Sequence, residues 1–330
     1  MQTSRRFSRV LLAFAAMLLL TSVGLAADPG APYPSTSEAS DQKAGSILFY
    51  NIYSSSTANP STTNTRFNIT NTSVSSAAFV HLFFVEGGSC SVADRYICLT
   101  ANQTMTFLAS EQDPATTGYL LAIAVDGVLG CPINFNFLIG DEYVKFDTGH
   151  FANLGAETIA AIAVTPVTCD ENTTTVTISF DGIRYNRVPR VLALDNIGSI
   201  ADGNSVRVWI NRVGGSLFGG GGSTGTFFGI LYDDAEQAHS YQLSAGTCQR
   251  GFTLNDTNPR TSPRFTVVIP AGQTGWTKLW STSDVGLFGV AINFNPNAAT
   301  SAGAYNGGHN LHKLRLTTDS YTMPIFSPGC

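Results

Sequence analysis

The chain has 330 residues, a formal net charge of −5, and only 12% charged residues, against about 25% in ordinary soluble domains. That acidic balance excludes a nucleic-acid binder, which needs a clustered basic face. Ser, Thr, Asn and Gly supply the polar surface instead.

Arg5, Arg6 and Arg9 precede an apolar run from Val10 to Leu20, and Gly24-Leu25-Ala26 ends in small residues at the spacing a signal peptidase requires. Residues 1–26 therefore read as a secretory signal peptide, cleaved after Ala26. The run is too short for a transmembrane helix. Phe7 follows the arginine pair one place early for a twin-arginine signal, which favours the general route. Losing three of the 18 basic residues takes the formal charge to −8. No later apolar run reaches spanning length, so the mature chain is expected to have no membrane span. Its expected location is secreted: extracellular, cell surface or periplasm.

Residues 27–44 are rich in Pro, Ser and Thr without a period and read as a flexible leader. From Gly45 on, short apolar runs alternate with turn signals, the pattern of an all-β protein. "GSILFYNIYSS", "TRFNITNTS", "AAFVHLFFVEGG", "ICLTANQTMTFLAS", "TGYLLAIAVDG" and "CPINFNFLIGDEYVKF" follow one another. Asp-Gly pairs at 126–127, 181–182 and 202–203 sit between them, where tight hairpins form. The stretch 149–164 is the one Ala-rich segment with helical spacing and reads as a short helix or a further strand.

The second half repeats the series. "RVLALDNIGS" resembles "TRFNITNTS", "GTFFGILYDD" resembles "AAFVHLFFVE", and "IPAGQTGWTKLWS" resembles "LTANQTMTFLAS". The expected fold is two tandem, related antiparallel β-sandwiches, 45–168 and 169–330, with the two Gln-Thr turns opening the same strand of each. Common turn chemistry is the alternative reading of those turns.

Six cysteines in an exported chain read as disulfides rather than zinc ligands, since no C-x2-C pair occurs. The spacing pairs Cys90 with Cys98; the partners of Cys131, Cys169, Cys248 and Cys330 stay open.

Few patterns carry chemistry. "GGSTG" at 221–225 matches a nucleophile motif at Ser223, but no helix follows to form the elbow. Asp141 and Glu142 are adjacent, so a strand would send them to opposite sides. Asp233, Asp234 and Glu236 could supply oxygen ligands to calcium, without a complete binding loop; no other cofactor is expected. His309 and His312 lie three apart, which on a strand puts them on opposite faces, so they read as structural. His81 lies in a strand apolar on both faces and reads as a core group. In "GWTKLWS", Trp276, Lys278 and Trp280 share one face of a strand and Leu279 takes the other. If Leu279 points inward, the tryptophans form an outward platform for a sugar ring or a protein; otherwise they are core.

The signal segment together with "FNITNTS", "FVHLFFV" and "LTANQT" resembles secreted bacterial surface proteins built of immunoglobulin-like β-sandwich repeats. The resemblance implies an adhesive, scaffolding or ligand-presenting role without catalysis, with a protein or glycan at the cell surface as partner. A carbohydrate-binding module and, behind it, a secreted hydrolase are the alternatives.

Overall fold

Runs that mix aromatic and β-branched residues become strands throughout residues 38–219 and 222–329, the part described in this computed structural model. The signal segment, most of the leader and Cys330 lie outside these residues. The all-β expectation holds. The sheets are antiparallel apart from one two-residue strand, and α-helix among the described residues amounts to the single turns Ala109–Gln112 and Phe265–Val268.

Strands β1 (Ile47–Ser54), β2 (Asn64–Asn71), β3 (Ala78–Glu86), β4 (Val92–Leu99), β5 (Thr104–Leu108), β6 (Thr117–Val125), β7 (Leu138–Lys145), β8 (Phe151–Gly155) and β9 (Glu157–Ile159) build the first sandwich. One sheet has the order β4-β3-β6-β1-β9 and faces the other, β5-β2-β7-β8. After β10 (Thr175–Phe180), the second sandwich uses β11 (Val188–Gly198), β12 (Ser205–Val213), β14 (Gly225–Tyr232), β15 (Ala238–Gly246), β16 (Gln249–Thr253), β17 (Thr274–Ser281), β18 (Gly286–Phe294), β19 (Gly307–Asn310) and β20 (His312–Thr317). Its sheets are β15-β14-β17-β11-β20 and β16-β12-β18-β19. Replacing β1–β9 in turn by β11, β12 and β14–β20 converts the first pair of orders into the second.

The correspondence reaches single residues. β1 and β11 each carry a bulge against a directly paired neighbour, between Tyr50 and Tyr53 opposite β6 and between Leu194 and Ile197 opposite β17. Gly118 and Gly275 sit opposite these bulges. A Cβ on them would lie 1.9 Å from the carbonyl oxygen of Val85 and 2.5 Å from that of Tyr232. The approach runs are "PATTGY" from Pro114 and "PAGQTGW" from Pro270, each after a single helical turn. The Gln-Thr expectation is corrected here. The first Gln-Thr turn opens β5, an edge strand, whereas the second opens β17, the counterpart of β6. Both turns need a left-handed residue, Asn102 (φ 58°) and Gly272 (φ 77°), and that shared local requirement explains the likeness.

A third sheet, β10-β21-β13, adds β21 (Asp319–Pro324) and β13 (Gly215–Ser216). It covers the outer face of the first sandwich's five-stranded sheet. Ile178, Phe180, Tyr321 and Met323 pack there with Phe49, Phe83, Leu121 and Ile123. This is why β1 and β3 are apolar on both faces: Leu48, Tyr50, Val80 and Leu82 fill the sandwich interior. The sandwiches also meet directly, through Val144, Phe146 and Leu154 against Trp209, Val290 and Ile292. The described residues accordingly belong to one compact unit.

Two expectations change. Cys90 pairs with Cys248 across the two sandwiches, not with Cys98. Cys90 occupies the β3–β4 turn while Cys98 lies far along β4, roughly 20 Å away at strand rise. Cys131 pairs with Cys169, and Cys98 is also disulfide-bonded. The end of the leader is docked rather than flexible: Ala39 is buried and Ser40 exchanges backbone hydrogen bonds with Thr158. Of the two readings of the stretch 149–164, the strand is the one present, as β8 and β9.

Candidate functional site

Strand β17 sets the first candidate. Leu279 is buried in the second sandwich, and Thr277 points the same way to bond Tyr241 and the Ile230 carbonyl. The pleat therefore sends Trp276, Lys278 and Trp280 outward, with Trp276 38% exposed. Neighbouring β14 adds two aromatics on the same face. Tyr232 stacks on Trp276 at 4.5 Å between centroids, and Phe228 tilts against Trp280 at 5.1 Å. The Lys278 ammonium lies 5.6 Å from the Tyr232 ring centroid. Beyond them β15 presents Ser240 and Gln242, opposite Ile230 and Phe228. The result is a face with aromatics at its centre and polar groups along one side.

Strand pairing extends this face the other way. Ala193 of β11 lies opposite Lys278 on one side and His312 of β20 on the other. Two positions on, the β11 bulge turns out Asp195, beside Asn196 in the left-handed region (φ 49°). A bulge re-aims the side chain it carries. The Asp195 carboxylate lies 3.3 Å from His312 Nε2 and 3.6 Å from His309 Nε2. These three are the one group of its kind among the described residues whose ligand atoms converge. They border a cleft of about 1070 Å³, lined also by Asn204, Gln273, Asn293 and Tyr305.

The strand reading had separated His309 from His312. The chain does not stay in one strand there: β19 belongs to one sheet and β20 to the other, and Leu311 between them is buried in the core. The crossing turns both imidazoles to the same side. Asp195 carried no motif. Its signal was a polar Asp-Asn pair inside an otherwise apolar run, the mark of a bulge.

Asp233, Asp234 and Glu236 do not converge. Asp233 closes its own turn by accepting from the amides of Ala235 and Gln237, while Asp234 and Glu236 are exposed. The calcium expectation on these residues therefore lacks a ligand set. Ser223 likewise serves a turn, donating to the Gly246 carbonyl and accepting from the Gly225 amide. Glu142 is buried and accepts from the Ile52 amide, and burial pushes its carboxyl well above the usual carboxylate range. Asp141 points away and accepts from Asn68. His81 is buried between Phe83 and Tyr96 with Nε2 2.8 Å from Asp94, and burial lowers its pKa.

No protein-family model matches this sequence, and no curated protein matches it. No helix among the described residues is long and apolar enough to cross a membrane.

Proposed function

We propose that this chain is a secreted or cell-surface protein that acts without catalysis, in an adhesive or ligand-presenting role, through the outer face of β14 and β17. The observation that carries this reading is the outward direction of Trp276 and Trp280, with Tyr232 and Phe228 beside them on an open sheet face. Buried by a partner, such side chains contribute on the order of 2 kcal/mol each. The disulfides support an oxidising location.

The same face favours a glycan as the partner. Sugar rings offer apolar C–H faces to aromatic rings and hydroxyls to polar neighbours, and here Lys278, Ser240 and Gln242 stand beside the aromatics. Trp276→Ala with Trp280→Ala is expected to abolish retention on a glycan array or on cells, with far-UV circular dichroism unchanged. Loss of the fold would make these side chains structural. Unaltered retention by a folded double variant would move binding elsewhere. Turnover of a glycan, peptide or ester, lost on one His, Asp, Glu or Ser substitution, would refute the non-catalytic reading.

A further inference from the structure

We propose that Asp195, His309 and His312 form a binding site for a divalent first-row transition ion such as Zn²⁺, Ni²⁺ or Cu²⁺. Imidazole nitrogens with one carboxylate oxygen are the donor set such ions take; calcium and magnesium prefer oxygen alone. This inference is independent of the aromatic face.

Geometry supports it at three levels. The ligand atoms come from two sheets and yet all lie within 4.8 Å of one another. An ion at about 2.0–2.2 Å from each donor spans such a group with small side-chain shifts. The His309 ring is also oriented by its far nitrogen. Its Nδ1 lies 3.0 Å from the Asn310 carbonyl oxygen, which can only accept, and this contact leaves Nε2 as the nitrogen facing Asp195. A backbone carbonyl on the far nitrogen is the usual outer partner of a ligating histidine.

The backbone, finally, is shaped to bring the donors together. Asp195 is turned out by a bulge, and the two histidines by the crossing from β19 to β20. The two imidazoles and the carboxylate are 47%, 56% and 60% exposed, and among the described residues their polar contacts are to each other and to the Asn310 carbonyl. Three protein donors leave at least one coordination position open, and that position faces the cleft. An oxygen or nitrogen donor of a bound molecule, or water, would complete the sphere.

The test uses untagged, disulfide-intact protein stripped with chelator. Calorimetric titration with Zn²⁺ is expected to give one ion per chain, and Ca²⁺ none at the same concentration. Losing an outer-shell partner typically costs about 10–100-fold in metal affinity; His309→Ala, His312→Ala and Asp195→Asn should each cost at least that. His239→Ala, whose imidazole sits beside Asp233 instead, should leave affinity unchanged. A second readout is optical. Trp276 lies on the strand next to the bulge that carries Asp195, so Cu²⁺ should quench its fluorescence, and Trp276→Phe should remove most of that quenching. No stoichiometric Zn²⁺ binding by the unaltered protein would overturn the proposal. Binding that survives both histidine substitutions in folded protein would overturn it equally.

Discussion

The Cys90–Cys248 bridge closes a loop of 158 residues between the two sandwiches, and its removal has a calculable cost. In the chain-entropy description, the crosslink removes about 2.1 + 1.5R ln n cal/mol/K from the unfolded state, which at n = 158 is roughly 17 cal/mol/K, or about 5 kcal/mol at 25 °C. Cys131–Cys169, with its separation of 38, lies inside that loop. Shortening the effective loop to about 120 changes the result by only a few tenths of a kcal/mol, because the dependence is logarithmic. The same expression gives about 4 kcal/mol for Cys131–Cys169 alone. Cys90→Ala with Cys248→Ala should therefore lose about 5 kcal/mol in urea unfolding followed by tryptophan fluorescence, about 1 kcal/mol more than Cys131→Ala with Cys169→Ala. Near-UV circular dichroism of the folded variants should stay close to that of the parent. The junction keeps local bonds without the bridge, since Thr247 Oγ1 donates to the Gly87 carbonyl at 2.8 Å. A loss under about 1 kcal/mol would show that the bridge does not constrain the unfolded chain in this way, and that the shared apolar core and the hydrogen bonds across the junction hold the halves together.

Gly118→Ala and Gly275→Ala should each destabilise by about 1–3 kcal/mol or more, since the new Cβ meets a backbone oxygen rather than a yielding side chain. Gly118→Ala should be the worse of the two, and a melting temperature unchanged in either would contradict the bulge geometry. Glu157 is buried against Lys313 Nζ at 2.5 Å, and burial outweighs the lysine to push its pKa up to about 7. A carboxyl raised in the folded state binds its proton more tightly there than in the unfolded chain. Its contribution is therefore complete below the ordinary value near 4.5 and is lost as pH rises through about 7. Glu157→Gln should flatten that limb of the stability–pH profile, and an unchanged slope between these values would refute the assignment.

Strand content was legible because period-2 patterning and turn residues are local properties. The outward direction of Trp276 followed from Leu279 in the same way. What local pattern could not supply was placement. The Gln-Thr turns look alike because each needs a left-handed residue, although they open strands in different sheets. Cys90 is near Cys98 in sequence but at the opposite end of a strand. Asp195 meets His309 and His312 only because a bulge and a change of sheet bring two distant backbone segments to one point. A strand model applied to residues 307–317 as one run puts the two histidines on opposite faces, and that inference failed at Leu311, where the chain enters the core and changes sheets.

The repeated strand order also explains why the candidate features lie on the second sandwich. The register that opposes Gly118 and Gly275 to their bulges makes Tyr119 the counterpart of Trp276, Leu121 of Lys278, Ile123 of Trp280, and Val85 of Tyr232. In the first sandwich this face is buried under β10 and β21, and all four of its residues belong to the shared apolar core. Among the described residues the second sandwich has no such cover, and the composition changes accordingly: a lysine replaces the central leucine, as an open face requires, since an unpaired ammonium is costly to bury. Solvent exposure alone would favour polar residues at all four positions, yet three of the four are aromatic. A face that is wet and still aromatic at the same positions its twin uses for burial supports the proposal that a partner covers it. The convergence of Asp195, His309 and His312 at its edge, across only Ala193 from Lys278, would give the proposed partner a second point of attachment with different chemistry.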